Sequence, residues 1–347
     1  MVVRVGRNRL LVLLCGVLAA LTLSAPAIAA PTQVGAVRAE AAAGWLARQL
    51  VDGERFEAVF GGVAYPDQGL TLDAVFAFAA AEAADDFGAA ALAWATRPDI
   101  RDGYIGDGAS AAYAGATAKL ALAVAVRGGD PTDVGGVDLV ARLRSLQEAS
   151  GRFTDRSAWG DYSNAFSQSF AILALDRTAQ GVPPVTAGWL ADTRCPDGGY
   201  PLLPEQPVCV SDVDATAVAV QALRAAGRRA DAAAGLRWLI SVQGADGGFS
   251  NAGGVANANS TGLAAQALRD GGRLRAWWRA RGFLAGLQVG CAAPVADRGA
   301  VDFDGGVFDP GTAARATAQA VLGLAGTGYA RLSTADATSG APSLPCH

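Results

Sequence analysis

Six glycine turns recur along the chain, and their spacing limits the possible folds more than any other feature. They are Phe60-Gly61-Gly62-Val63, Tyr104-Ile105-Gly106-Asp107, Ser150-Gly151-Arg152-Phe153, Asp197-Gly198-Gly199-Tyr200, Asp246-Gly247-Gly248-Phe249 and Asp304-Gly305-Gly306-Val307. From Gly61 through Gly106, Gly151, Gly198 and Gly247 to Gly305 the intervals are 45, 45, 47, 49 and 58 residues. Such a period holds two helices and two loops, and self-similarity at this scale marks units that share a core with their neighbours.

An amphipathic run precedes each turn, at 37–50, 87–95, 137–147, 185–191, 231–243 and 274–288, and arginines break most of their apolar stripes. One face of each must therefore meet water. After the turns come runs nearly free of charge, at 72–81, 109–126, 164–175, 214–225, 260–268 and 312–324. A helix that is small and apolar all round is buried on every side, by close approach to its neighbours. The pattern predicts an all-α fold over residues 35–330: a closed ring of six helix hairpins, charge-poor helices inside and arginine-bearing helices outside, around an apolar funnel. An open solenoid would need polar end caps, and the first and last repeats carry none.

The segments outside the repeat carry signals of their own. Arg4, Arg7 and Arg9 precede an apolar stretch from Leu10 to Leu23 that ends in Ala27-Ile28-Ala29, the pattern of a signal peptide cleaved after Ala29. Residues 30–34 are expected to be a short linker and 331–347 a polar tail. Fourteen apolar residues at about 1.5 Å rise fall short of a bilayer core, so no membrane span is expected after cleavage, and the product is expected to be extracellular. Losing three arginines takes the formal charge from −4 to −7, which argues against nucleic acid as a partner. Export makes disulfides of the four remaining cysteines, Cys195, Cys209, Cys291 and Cys346, with three pairings possible. Cys195 with Cys209 is favoured because it closes a short Pro/Gly-rich loop, worth roughly 3 kcal/mol. Cys291 with Cys346 would then tie down the tail.

The clearest internal match sets Asp212-Val213-Asp214-Ala215-Thr216 beside Asn257-Ala258-Asn259-Ser260-Thr261, with Gln221-Ala222-Leu223 and Gln266-Ala267-Leu268 downstream. Polar side chains at i and i+2 before a helix serve as N-caps. At the mouth of a funnel they would do more, because a carboxyl buried beside another has a raised pKa and can donate a proton. Asp214 is the candidate acid and Asp212 its neighbour. Asn257, Asn259 and the mixed cluster Trp159, Asp161, Tyr162, Asn164 and Phe166 are candidate ligand-binding residues. The Asp-Gly-Gly turns at Asp197, Asp246 and Asp304 read as structural turns rather than metal loops. His347 is the only histidine, which argues against a Ser-His-Asp system and against imidazole-held zinc. No phosphate loop occurs. No metal or cofactor is expected.

The repeat resembles the α6/α6 toroid of squalene–hopene cyclases, protein prenyltransferases and the α-domain of cobalamin carriers such as intrinsic factor. It is most similar to secreted bacterial proteins with prenyltransferase and squalene-oxidase repeats. The residues that carry the likeness are Gln147…Gly151-Arg152-Phe153 and Gln243-Gly244-Ala245-Asp246-Gly247-Gly248-Phe249. Class II cyclases protonate a polyprene with the middle acid of a DxDD-type motif, which the resemblance places at Asp214; Ala215 stands where the last Asp belongs. Prenyltransferase zinc ligands and the Cys-Gly-Glu-Gln thioester element are missing. An apolar inner wall with few polar groups and no complete catalytic set leads to the expectation of a non-catalytic ring that binds an apolar small molecule or a protein partner in its funnel. The alternatives are an acid-initiated terpene cyclase using Asp214, and cobalamin-carrier-like binding with a separate partner domain.

Overall fold

The computed structural model describes residues 31–251 and 254–346, with side chains from residue 36 onward. The span assigned to a signal peptide lies outside the described residues. Helix α1 (Pro31–Arg48) already occupies most of the stretch expected to be a linker.

The fold is all-α, with two short hairpins, β1 (Glu57–Phe60) with β2 (Val63–Pro66) and β3 (Tyr200–Pro201) with β4 (Ser211–Asp212). The charge-poor helices are α2 (Gln68–Ala81), α5 (Ala114–Val126), α7 (Ala165–Asp176), α9 (Val213–Ala225), α11 (Ala258–Asp270) and α13 (Pro310–Ala325). Each contacts the next, and α13 contacts both α11 and α2, so the six close a circuit. Six further helices lie around them, arginine-bearing except for α3 (Asp85–Ala95) and α8 (Pro184–Asp192). Helix α1 contacts α13 and α2; α3 contacts α2; α6 (Leu139–Ser145) contacts α5. Helix α8 touches α7 and α9, α10 (Arg229–Val242) touches α9 and α11, and α12 (Leu274–Leu287) touches α11 and α13.

Composition explains the division. Every residue of α2 from Leu70 to Ala81 is buried, whereas α12 buries only Ala276, Trp277, Ala280, Arg281 and Leu284. Small side chains set the spacing of the inner helices: a Cβ on Gly262 of α11 would lie 2.5 Å from the Gln319 carbonyl oxygen of α13. All six marker glycines have positive φ, from 57° at Gly61 to 102° at Gly198, so the turns need glycine for conformation.

The second repeat departs from expectation. Tyr104 and Ile105 belong to an additional helix, α4 (Pro98–Ile105), which Pro98 opens in the first-turn position suited to a residue without an N–H. Helix α5 starts at Ala114 rather than Ala109, because Asp107 Oδ1 accepts from the amides of Ala109, Ser110 and Ala111 and holds them in a turn.

The starts of the inner helices lie on one side, because hydrogen bonds join them. Ala165 N donates to Leu202 O (3.0 Å), Ala258 N to Phe303 O (2.7 Å) and Ala114 N to Asp155 Oδ1 (2.7 Å), while Arg315 of α13 reaches Asp67, the N-cap of α2 (2.9 Å). This side is the rim. The tail is more than a polar appendage. After a 3-10 turn at Tyr329–Arg331, Leu332 is buried, Thr338 N donates to Glu82 O, Arg48 donates to the Ala341 and Pro342 carbonyls, and Cys346 is bonded to Cys291.

Candidate functional site

Three of the proposed polar residues begin inner helices. Asp212 accepts from Ala215 N (2.8 Å), Asn257 from Ser260 N (2.9 Å) and Asn164 from Phe166 N (2.9 Å), the last in a capping box with Ser167. Capping accounts for one oxygen of each, so chemistry must come from their neighbours.

Asp214 lies in the first turn of α9, half-buried. Its Oδ2 accepts from Asn251 Nδ2 at 3.1 Å, while Oδ1 is buried without a hydrogen bond. Burial above all, with the charge of Asp212 adding to it, raises its pKa to about 6 against the opposing pull of the Ser260 and Asn251 side chains. At neutral pH most of the population is ionised, which makes Asp214 a weak donor. Asp212 and Asn251 line a groove of about 270 Å³ with Leu203, Val208 and Val210. The groove is built by the β3–β4 hairpin and the loop that the Cys195–Cys209 disulfide closes. Asn259 is half-buried nearby in sequence, with its Oδ1 lacking a partner.

The central hollow, about 290 Å³, is lined by Asp73, Tyr104, Lys119, Asn164, Phe166, Ser167, Phe170, Leu263, Arg315, Gln319 and Tyr329. It is not the apolar funnel expected from the inner helices. Lys119 Nζ lies 2.6 Å from Asp73 and donates to Gly69 O, and Arg315 pairs with Asp67 at 2.9 Å and approaches Asp73 at 3.8 Å. Asp73 is buried and Lys119 nearly so, and such charges persist because each has a counter-charge. They are the lone charges of α2, α5 and α13, a signal the sequence does carry. Opposite the rim, Tyr329 seals the floor edge-on to Phe76 and Phe170, with ring centroids 5.4 and 5.3 Å away. Gln221 accepts from its amide, and Arg177 donates to its carbonyl. Neither Asp212 nor Asp214 lines this hollow.

Of the aromatic cluster, Phe166 and Asn164 reach the hollow, whereas Trp159 (80% exposed) and Tyr162 (69% exposed) point to solvent. Asp161 supports their loop: it accepts from Asp155 N and Ser163 N and pairs with Arg152. The other loops that enter inner helices share this exposure. Phe60, Tyr65, Val208, Val210, Val255 and Val307 are all exposed there. Large apolar side chains open to water in such number mark interaction surfaces. Sequence inspection of the helices missed them because they lie between the periodic segments.

No helix among the described residues is long and apolar enough to cross a membrane. No protein-family model matches the chain, and no curated protein does. Among solved structures it is similar to a protein from Actinoplanes, at 16% identity and a TM-score of 0.58, covering 84% of this chain and 98% of that one. It is also similar to ent-copalyl diphosphate synthase from Streptomyces platensis, at 18% identity and a TM-score of 0.49, covering 77% of this chain and 53% of that one. The first likeness is one of fold, and it extends over nearly the whole of both chains.

Proposed function

We propose that the chain is a secreted α6/α6 toroid that binds a protein partner through its rim and performs no covalent chemistry. The contact circuit from α2 through α13 back to α2 supports the toroid. One observation carries the binding reading: exposed large apolar side chains gather on the loops that enter the inner helices. A protein fits better than a small apolar ligand, because that surface is spread over several loops. The hollow beneath it is ion-paired and floored, and its 290 Å³ sits at the small end of ligand pockets. A cobalamin-carrier-like arrangement would be a special case, with the partner as the missing domain.

The test is native mass spectrometry of chain purified from its own secretion host, beside a Trp159→Ser/Tyr162→Ser/Val208→Ser variant. Wild type is expected to carry a stoichiometric partner that the variant lacks. A wild-type chain that stays an empty monomer refutes the reading.

A second reading rests on Asp214, whose largely buried carboxyl has a pKa raised to about 6 and so keeps a fraction of its proton near neutral pH. It is acid-initiated terpene cyclisation. Incubation with squalene and shorter polyprenes, beside Asp214→Asn, separates the two: product that disappears in the variant establishes the cyclase, and no product from any polyprene rejects it.

A further inference from the structure

The net charge of −4 conceals a basic sector: residues 224–281 carry nine arginines against Asp231, Asp246 and Asp270. On the outer surface between α10 and α12 lies a crevice of about 580 Å³, twice the volume of the central hollow. Ile240, Leu274 and Ala276 form its apolar part and Arg273, Arg275 and Arg279 its charged part, with no acidic residue among the lining. Arg279 is engaged with the Gly244 and Ala245 carbonyls. The side chains of Arg273 and Arg275 make no ion pair or hydrogen bond among the described residues. Ile240 and Leu274 are 43% and 46% exposed, with Val242 and Trp278 exposed beside them in sequence.

We infer that this crevice binds a single-chain anionic amphiphile, its hydrocarbon chain along Ile240 and Leu274 and its carboxylate between Arg273 and Arg275. Each half of the site explains the other. Apolar side chains left this open are covered at a gain, and a guanidinium without a counter-charge presents a planar fork of donors that matches a carboxylate. An uncharged chain would leave both arginines unused, and a simple anion would leave the apolar wall in water.

The test titrates the full mature chain with decanoate below its micelle concentration, following tryptophan fluorescence and amide NMR shifts. Decanol and decyltrimethylammonium serve as neutral and cationic counterparts. Decanoate is expected to bind at least about tenfold more tightly than either, a difference of about 1.4 kcal/mol. Arg273→Gln/Arg275→Gln is expected to abolish that preference, and Ile240→Ser to weaken all three ligands. The substituted side chains are exposed, and matching thermal melts verify that the variants fold. Three results overturn the inference: decanol bound as tightly as decanoate, the preference unchanged in the double arginine variant, or binding to phosphatidylglycerol vesicles with none to monomeric decanoate, which would make the sector a membrane-docking surface.

Discussion

Inner-helix threonines hold residues on the segments that follow the outer helices. Thr71 accepts from Phe56 N (2.9 Å), Thr216 from Tyr200 N (2.8 Å), Thr261 from Phe249 N (2.9 Å) and Thr317 from Val301 N (2.8 Å); in the third repeat Gln168 does the same for Phe153 N (2.9 Å). All five bonds are buried, so a missing acceptor leaves an amide with neither protein nor water. Thr216→Val is expected to cost about 1–3 kcal/mol, and Thr216→Ser, which keeps the oxygen, less. Urea unfolding measures both; a valine variant as stable as wild type removes the latch from the account. Asp214 makes a prediction of opposite sign. Its folded pKa, about 6, lies above the ordinary 3.8, so the folded chain holds this proton more tightly than the unfolded one. That stabilisation is complete below pH 3.8 and is lost as pH rises through 6. Asp214→Asn keeps an acceptor for Asn251 and never ionises, so it should gain on the order of 1–2 kcal/mol at pH 7 and nothing at pH 3.5. Equal effects at both pH values would contradict a burial-raised pKa.

Helix contacts in the inner circuit depend on absent side chains as much as on present ones. Gly262→Ala would force α11 away from the Gln319 carbonyl of α13, 2.5 Å from the new Cβ. Overpacking of this kind is expected to cost about 1–3 kcal/mol, visible as a lower thermal midpoint; an unchanged midpoint would mean that the helices separate freely. Much at this scale was legible in the sequence. The glycine markers fall where φ is positive, and charge-poor runs fall on buried helices, because both patterns follow from local geometry and solvation. The misreadings have physical sources too. Helix α4 is hidden behind the turn signal of Gly106, which ends it, because a terminal glycine looks the same in either setting. Asp73, Lys119 and Arg315 are single charges on otherwise apolar helices, and nothing local to each says that the fold brings them together, with Asp73 buried between the other two. Tyr329 gave no warning, since a residue that docks across the molecule leaves no periodic trace beside itself.

The whole molecule is closed twice, once by helix contacts between α13 and both α1 and α2, and once by the tail. From Tyr329 in the floor the tail runs past Glu82 and Asp86 to α1 and ends at the Cys291–Cys346 bond. A Cβ on Gly44 of α1 would lie 1.8 Å from the Pro342 carbonyl oxygen, so this helix is shaped to receive it. The two disulfides should therefore differ in worth. Cys195–Cys209 spans 14 residues and fixes one rim loop, whereas Cys291–Cys346 spans 55 and holds the strap across the place where first and last repeats meet. Loop entropy alone sets them at about 3 and about 4 kcal/mol. Replacing Cys291 and Cys346 by serine should lower the thermal midpoint more than replacing Cys195 and Cys209, and should open the bonds near Thr338 and Gly340 to proteolysis before the helices unfold. If the order is reversed, or the tail stays protected without its disulfide, the strap is held by its hydrogen bonds and closure belongs to the helices alone.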